Sequence, residues 1–167
     1  IIRTLLCRQD YTRIEELEDL LFMNLTSVKQ ILNRAREILK LFDLKIVSKS
    51  RHGMKISGRE HDIRLCLNYE YGNYATTSVR TAQPEEYGRL YPFDPQIQQK
   101  IELIIRSLQE MFISYNLSSS SLSSLSRLII LSAFRSKQGH PLEYPESTII
   151  RFTNRNSYYV AKLVHIT

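Results

Sequence analysis

Carboxylates are scarce where this chain is most basic. Between Thr26 and Arg59 only Glu37 and Asp43 are acidic, against nine lysines and arginines, so the stretch carries +7, more than the formal +6 of the whole chain. The remainder is close to neutral, and the basic balance belongs to one region. Cysteine is equally sparse, with only Cys7 and Cys66, both among apolar residues on expected helices. They read as buried reduced thiols, the alternative being a disulfide or a ligand pair. The five glycines form no phosphate-cradling loop. No nucleophile stands beside a base and no His/Cys cluster has ligand spacing. His61 and Asp62 are adjacent, but helix neighbours point in different directions, so they read as a surface pair. These absences argue against an enzyme and imply neither cofactor nor metal. No apolar run approaches the ~18 residues of a membrane span, and no charged-then-apolar signal opens the chain. A cytoplasmic protein without membrane contact is expected. Because it begins at Ile1 without Met, the chain reads as a piece of something longer.

Thr26 to Lys40 gives the positive region a shape. At 100° per residue Val28, Leu32, Ala35 and Leu39 fall on one narrow stripe, with Thr26, Gln30, Asn33 and Glu37 opposite. Lys29, Arg34 and Lys40 occupy the shoulders. Asn24 precedes the stripe as an N-cap whose side-chain oxygen takes an orphan backbone N–H. The polar face offers hydroxyls, amides and cations with no carboxylate before Glu37, and these are the groups that bond base edges and phosphates. It reads as a recognition helix; the plain alternative is a solvated face.

Its surroundings agree with that reading. Ile2, Leu5 and Leu6 mark a first helix. Thr12 and Glu15 have capping-box spacing and open a short second helix, with Ile14, Leu17, Leu20 and Leu21 inward and Glu15, Glu16, Glu18 and Asp19 outward. Met23-Asn24-Leu25 is the tight turn that follows, as in a helix-turn-helix. After Asp43 the period drops to 2. Leu44 and Ile46 alternate with Lys45, Val47 and Lys49, Ser50-Arg51-His52-Gly53 turns, and Met54 and Ile56 return. This predicts a β-hairpin wing with Arg51 and His52 at its tip. Tip cations of this kind touch phosphate or enter the minor groove, although His52 reads equally well as an idle turn residue.

Glu60 to Tyr71 predicts a further helix, and Gly72 to Pro92 a surface connector. Asp94-Pro95 caps a long helix to Tyr115. The serine-rich tract after Ser118 reads as the start of another capped helix, because Leu122, Leu125, Leu128, Ile129 and Ala133 continue at helical spacing until Gly139 stops it. Pro141 and Pro145 bracket a loop. Ile149 to Ile166 gives one or two final helices burying Val160, Leu163 and Val164. The expected architecture is mainly α: a winged helix-turn-helix over 1–58, a linking helix and connector over 59–92, and an all-helical bundle over 93–167.

The segments LFMNLTSVKQILNRAREILK and LKIVSKSRHGMKISGREHDIRLCL resemble the DNA-binding region of bacterial transcription regulators that carry sugar-phosphotransferase regulation domains. Mga-type virulence regulators and DeoR-like winged helices are close to this group. Leu39–Leu44 and Gly53–Gly58 stand where that family has the segment after its recognition helix and its glycine-containing wing, and EHDIRLCL resembles its linking helix. The resemblance covers about the first 70 residues well. Further on, FRSKQG is similar to a helix ending in Arg and Gly, which implies that 93–167 is an incomplete PRD-like domain. Phosphorylated members typically carry a histidine two turns before that arginine. Counting back from Arg135 reaches Leu128, which accepts no phosphoryl group; His140 lies in a loop and His165 is poorly spaced. The resemblance therefore implies a second half kept for dimerisation or protein contact, with phosphotransferase proteins as further partners.

The expected function is a sequence-specific regulator of carbohydrate-utilisation or virulence genes, binding double-stranded DNA as a homodimer. Thr26, Ser27, Lys29, Gln30, Asn33 and Arg34 would enter the major groove while Lys49, Arg51 and His52 hold the flanking backbone. The alternative is an RNA-binding antiterminator. Proteins of that kind start with a small β-module, whereas this chain starts with helices.

Overall fold

The computed structural model of the chain describes residues 1–8, 10–78 and 118–155, together with positions 99, 103, 107 and 110. Helix α1 (Ile2–Cys7) buries Ile2, Leu5 and Leu6, the i, i+3, i+4 set that one helix face presents. Helix α2 (Ile14–Leu21) follows, but its start departs from expectation by one position. Arg13 is the N-cap, and its backbone N–H donates to Glu16 Oε1 at 3.3 Å. An arginine side chain has no acceptor, so only the carboxylate half of a capping box forms. Thr12 is instead fully buried and pairs by backbone with Met54, its N–H donating to Met54 O and its carbonyl accepting from Met54 N–H, both at 2.8 Å. Leu20 also departs, lying exposed while Leu17 is buried. At helical spacing Ile14, Leu17 and Leu21 fall on one arc, and Leu20 lies off its edge.

The turn into helix α3 (Leu25–Lys40) begins at Phe22, which has left-handed backbone (φ 51). Asn24 caps α3 as expected, its side chain accepting from Ser27 N–H at 2.9 Å. The buried residues of α3 are Val28, Leu32, Ala35 and Leu39. Past its end, Asp43 takes φ 54 and Leu44 N–H returns to Leu39 O at 3.0 Å, the closing bond of a Schellman-type stop. Strands β1 (Lys45–Lys49) and β2 (Gly53–Ser57) pair antiparallel with Ile46 opposite Ile56 and Ser48 opposite Met54. The Thr12–Met54 bridge makes the segment before α2 a one-residue third strand against this ribbon.

Helix α4 (Glu60–Ser78) runs past the expected Tyr71 limit. Gly72 sits in its interior at a close approach, where an added Cβ would lie 3.2 Å from the Arg127 guanidinium of helix α5 (Ser119–Lys137). The glycine therefore accommodates packing between helices and does not end one. Ser118 caps α5, accepting from Ser121 N–H at 3.2 Å, and Gly139 (φ 84) follows its end. Helix α6 is Glu146–Thr153. One core joins α1, α2, α3, the ribbon and α4, and Leu131 of α5 enters the same cluster. Apart from the single described positions, the helix expected over Asp94–Tyr115 lies outside the described residues, as do Val160, Leu163, Val164 and His165.

Candidate nucleic-acid interface

Because Val28, Leu32, Ala35 and Leu39 turn inward, α3 presents its opposite face to solvent. Thr26, Lys29, Gln30, Asn33 and Arg34 are exposed, and Ser27 is half-buried, its backbone N–H held by the Asn24 cap. At 100° per residue the exposed five occupy an arc of roughly 140°, so they share one face. Lys29 and Arg34 have no carboxylate partner among the described residues, which leaves their charge uncompensated. Arg36, which the sequence reading passed over, donates to Asn33 Oδ1 at 2.6 Å and so fixes which edge of that amide is presented. Its i, i+3 spacing from Asn33 was the available signal. Lys40 and Glu37 pair at 2.8 Å with both side chains well exposed, a contact that contributes little.

The tip of the ribbon lies beside Tyr11 and the start of α2. Lys49, Arg51 and His52 are exposed, and His52 N–H donates to Lys49 O at 3.0 Å to close the turn. Arg51 adopts φ 63, a conformation that costs a residue with a Cβ about 1–2 kcal/mol. His52 is tied into the turn. Its Nδ1 lies 2.8 Å from Ser50 O, a carbonyl that can only accept, so Nδ1 carries the proton. The His52 ring meets Tyr11 edge-on with centroids 6.4 Å apart, and Lys55 Nζ lies 4.9 Å from the Tyr11 centroid. Tyr11 thus braces the wing from the segment before α2, a role invisible in linear order. An open groove runs between the wing and the start of α2, with Arg13, Lys49 and Arg51 in its lining.

A second polar cluster holds α5 against this unit. Glu60, at the start of α4, accepts from Arg135 Nη2 at 2.7 Å and Nε at 3.0 Å, and from Arg64 Nε at 3.0 Å. Arg135 Nη1 reaches Leu6 O at 3.2 Å, Arg64 Nη2 reaches His140 O at 2.8 Å, and Gln138 Nε2 reaches Cys7 O at 3.3 Å. One carboxylate therefore links the ends of α1 and α5 to the beginning of α4. Burial raises the Glu60 pKa, but the hydrogen bonds from Arg135 and Arg64 outweigh it and hold the group below its ordinary 4.5. The two cysteines are free thiols. Burial pushes Cys66 up to about 12 and also raises Cys7, whose Sγ lies 3.7 Å from Tyr71 Oη. Neither is a thiolate at neutral pH. Among the described residues no group of three or more His, Cys, Asp or Glu is placed to hold a metal. None of their helices is long and apolar enough to cross a membrane.

Three helices with a tight turn before the third, followed by a two-stranded ribbon, define a winged helix-turn-helix. Residues 1–71 match the Mga helix-turn-helix domain, a similarity that points to DNA-binding transcription regulation for this part of the chain. A comparison with curated proteins finds no match.

Proposed function

We propose that the chain is a sequence-specific regulator that reads double-stranded DNA in the major groove with Thr26, Ser27, Lys29, Gln30, Asn33 and Arg34, while Lys49, Arg51 and His52 hold the adjoining backbone. The observation that carries this reading is the exposed face of α3, where Gln30 and Asn33 stand between two cations without carboxylate partners among the described residues. Amides pair with adenine and arginine with guanine through two-point hydrogen bonds; the cations supply a phosphate term that weakens with salt. Half-sites related by symmetry call for a homodimer, and the protein acts in the cytoplasm. The resemblance extends the reading to a PRD-like second half and to control of carbohydrate-utilisation or virulence genes. Leu128, on α5 where a phosphorylatable histidine would stand, favours a second half that works through protein contact, phosphotransferase components included.

Selection of bound sequences from a random duplex pool, at two salt concentrations and with a pool of RNA hairpins in parallel, tests this reading. A shared DNA motif should emerge at both salts while total binding falls steeply at the higher one. Enrichment of RNA hairpins without a DNA motif would favour antitermination and overturn the proposal.

A further inference from the structure

A cavity of about 260 Å³ opens where α1, β2, the start of α4 and the end of α5 meet. Leu5, Ile56 and Ile63 form the apolar part of its lining, and Lys55, Ser57 and His140 bring polar groups to it. We propose that this cavity binds a small organic anion, with one carboxylate or phosphate-monoester head on a short aliphatic body.

The charge balance of the lining selects an anion. Lys55 has no carboxylate within ion-pair distance among the described residues; its one described charge contact is the Tyr11 ring at 4.9 Å. Glu60 also lines the cavity, but its two oxygens are taken by Arg64 and Arg135, with Arg135 itself in the lining. The acid is therefore neutralised from within, and Arg8 is paired with Glu16 at 2.8 Å, so Lys55 is the one lining cation without a carboxylate partner among the described residues. Neither the His140 imidazole nor the Ser57 hydroxyl makes a hydrogen bond to the described residues, so both are available to a ligand oxygen. Size and apolar lining select the body. The volume falls below the ~300–1,000 Å³ of sites for drug-sized molecules, and Leu5, Ile56 and Ile63 offer nothing to a polyhydroxyl chain.

The position gives the site a consequence. Lys55 and Ser57 belong to the wing strand and His140 follows α5, so a bound anion would bridge the wing to the second half beside the Glu60 cluster. The inference rests on the cavity alone, and failure of DNA recognition would leave it standing.

The test is calorimetric titration of the whole chain with isovalerate and with isobutyl phosphate, read alongside the His140 ring resonance by NMR. Inorganic phosphate and neutral isovaleramide serve as the other arms. Binding of either organic anion with movement of the His140 signal supports the proposal and names the head group. Lys55→Met and His140→Phe, with melting curves confirming that both remain folded, should each weaken it by about tenfold or more, as loss of a charge-assisted hydrogen bond does. Three results would overturn it: silence from both anions up to about 10 mM, equal binding of inorganic phosphate or isovaleramide, or binding that survives both substitutions and so lies elsewhere on the basic surface.

Discussion

Glu60→Ala is expected to destabilise the chain by about 3–5 kcal/mol, the usual cost of removing one member of a buried ion cluster. The arginines it leaves behind have nowhere to go: their side chains are 6% exposed for Arg64 and 5% for Arg135. Both hydrogen-bond backbone carbonyls of other segments, which keeps them inside when the carboxylate is gone. Urea unfolding measures the loss, and amide exchange in α5 should show that helix opening first. Acid should act in the same direction. Because the folded-state pKa of Glu60 lies below its ordinary 4.5, its stabilisation is fully present above that value and is lost as pH falls through the depressed pKa. Glu60→Gln should therefore be less stable than the parent at neutral pH, with a smaller further loss on acidification below pH 4.5. A parent and variant with parallel acid profiles would show that the carboxylate does not hold α5.

The second large effect is expected from Gly53→Ala. Gly53 has φ 107, and an added Cβ would run into the Thr12 carbonyl group, 2.5 Å from its carbon and 2.7 Å from Arg13 N. These are backbone atoms, fixed by the paired Thr12–Met54 bonds, so the ribbon must move off Thr12. Two backbone hydrogen bonds at about 1 kcal/mol each and the left-handed penalty of about 1–2 kcal/mol bring the cost to roughly 3 kcal/mol. Gly139→Ala supplies the comparison. Its φ is also positive, at 84, but nothing lies within 4 Å, so only the backbone penalty remains. Faster amide exchange at Thr12 and Met54 in Gly53→Ala, with α3 still protected, would show the wing detaching. Unchanged exchange at both positions would contradict the assignment of Gly53 as the contact that seats it.

What could be read in linear order, and what could not, divides by the range of the interactions. The α3 stripe and its Asn24 cap were legible because both are set within a few residues, and the ribbon because its period changes at Asp43 and Ser50-Arg51-His52-Gly53 marks the turn between its strands. The Thr12 misreading has a long-range cause. A capping-box pattern predicts a local bond, but pairing with Met54 takes that backbone and moves the cap to Arg13. Gly72 misled for a similar reason, since its use is to admit Arg127 from a distant helix. In linear order nothing sets Glu60 apart from Asp62, the other acid in the first turn of α4. Its partnership with Arg135 spans 75 positions, and no periodicity reports such a pair. Tyr11 likewise gained its role only when the wing folded back beside it.

The central claim is that the exposed face of α3 reads base edges. Its most direct measurement is a competition shift assay in which a selected operator and unrelated duplex compete for the parent, Gln30→Ala and Arg34→Ala chains. Each substitution should lower operator affinity by about 1–3 kcal/mol, roughly fivefold to 150-fold, while affinity for unrelated duplex changes far less. If both variants keep the parent's full preference for the operator, α3 is not the reading surface and the account is wrong.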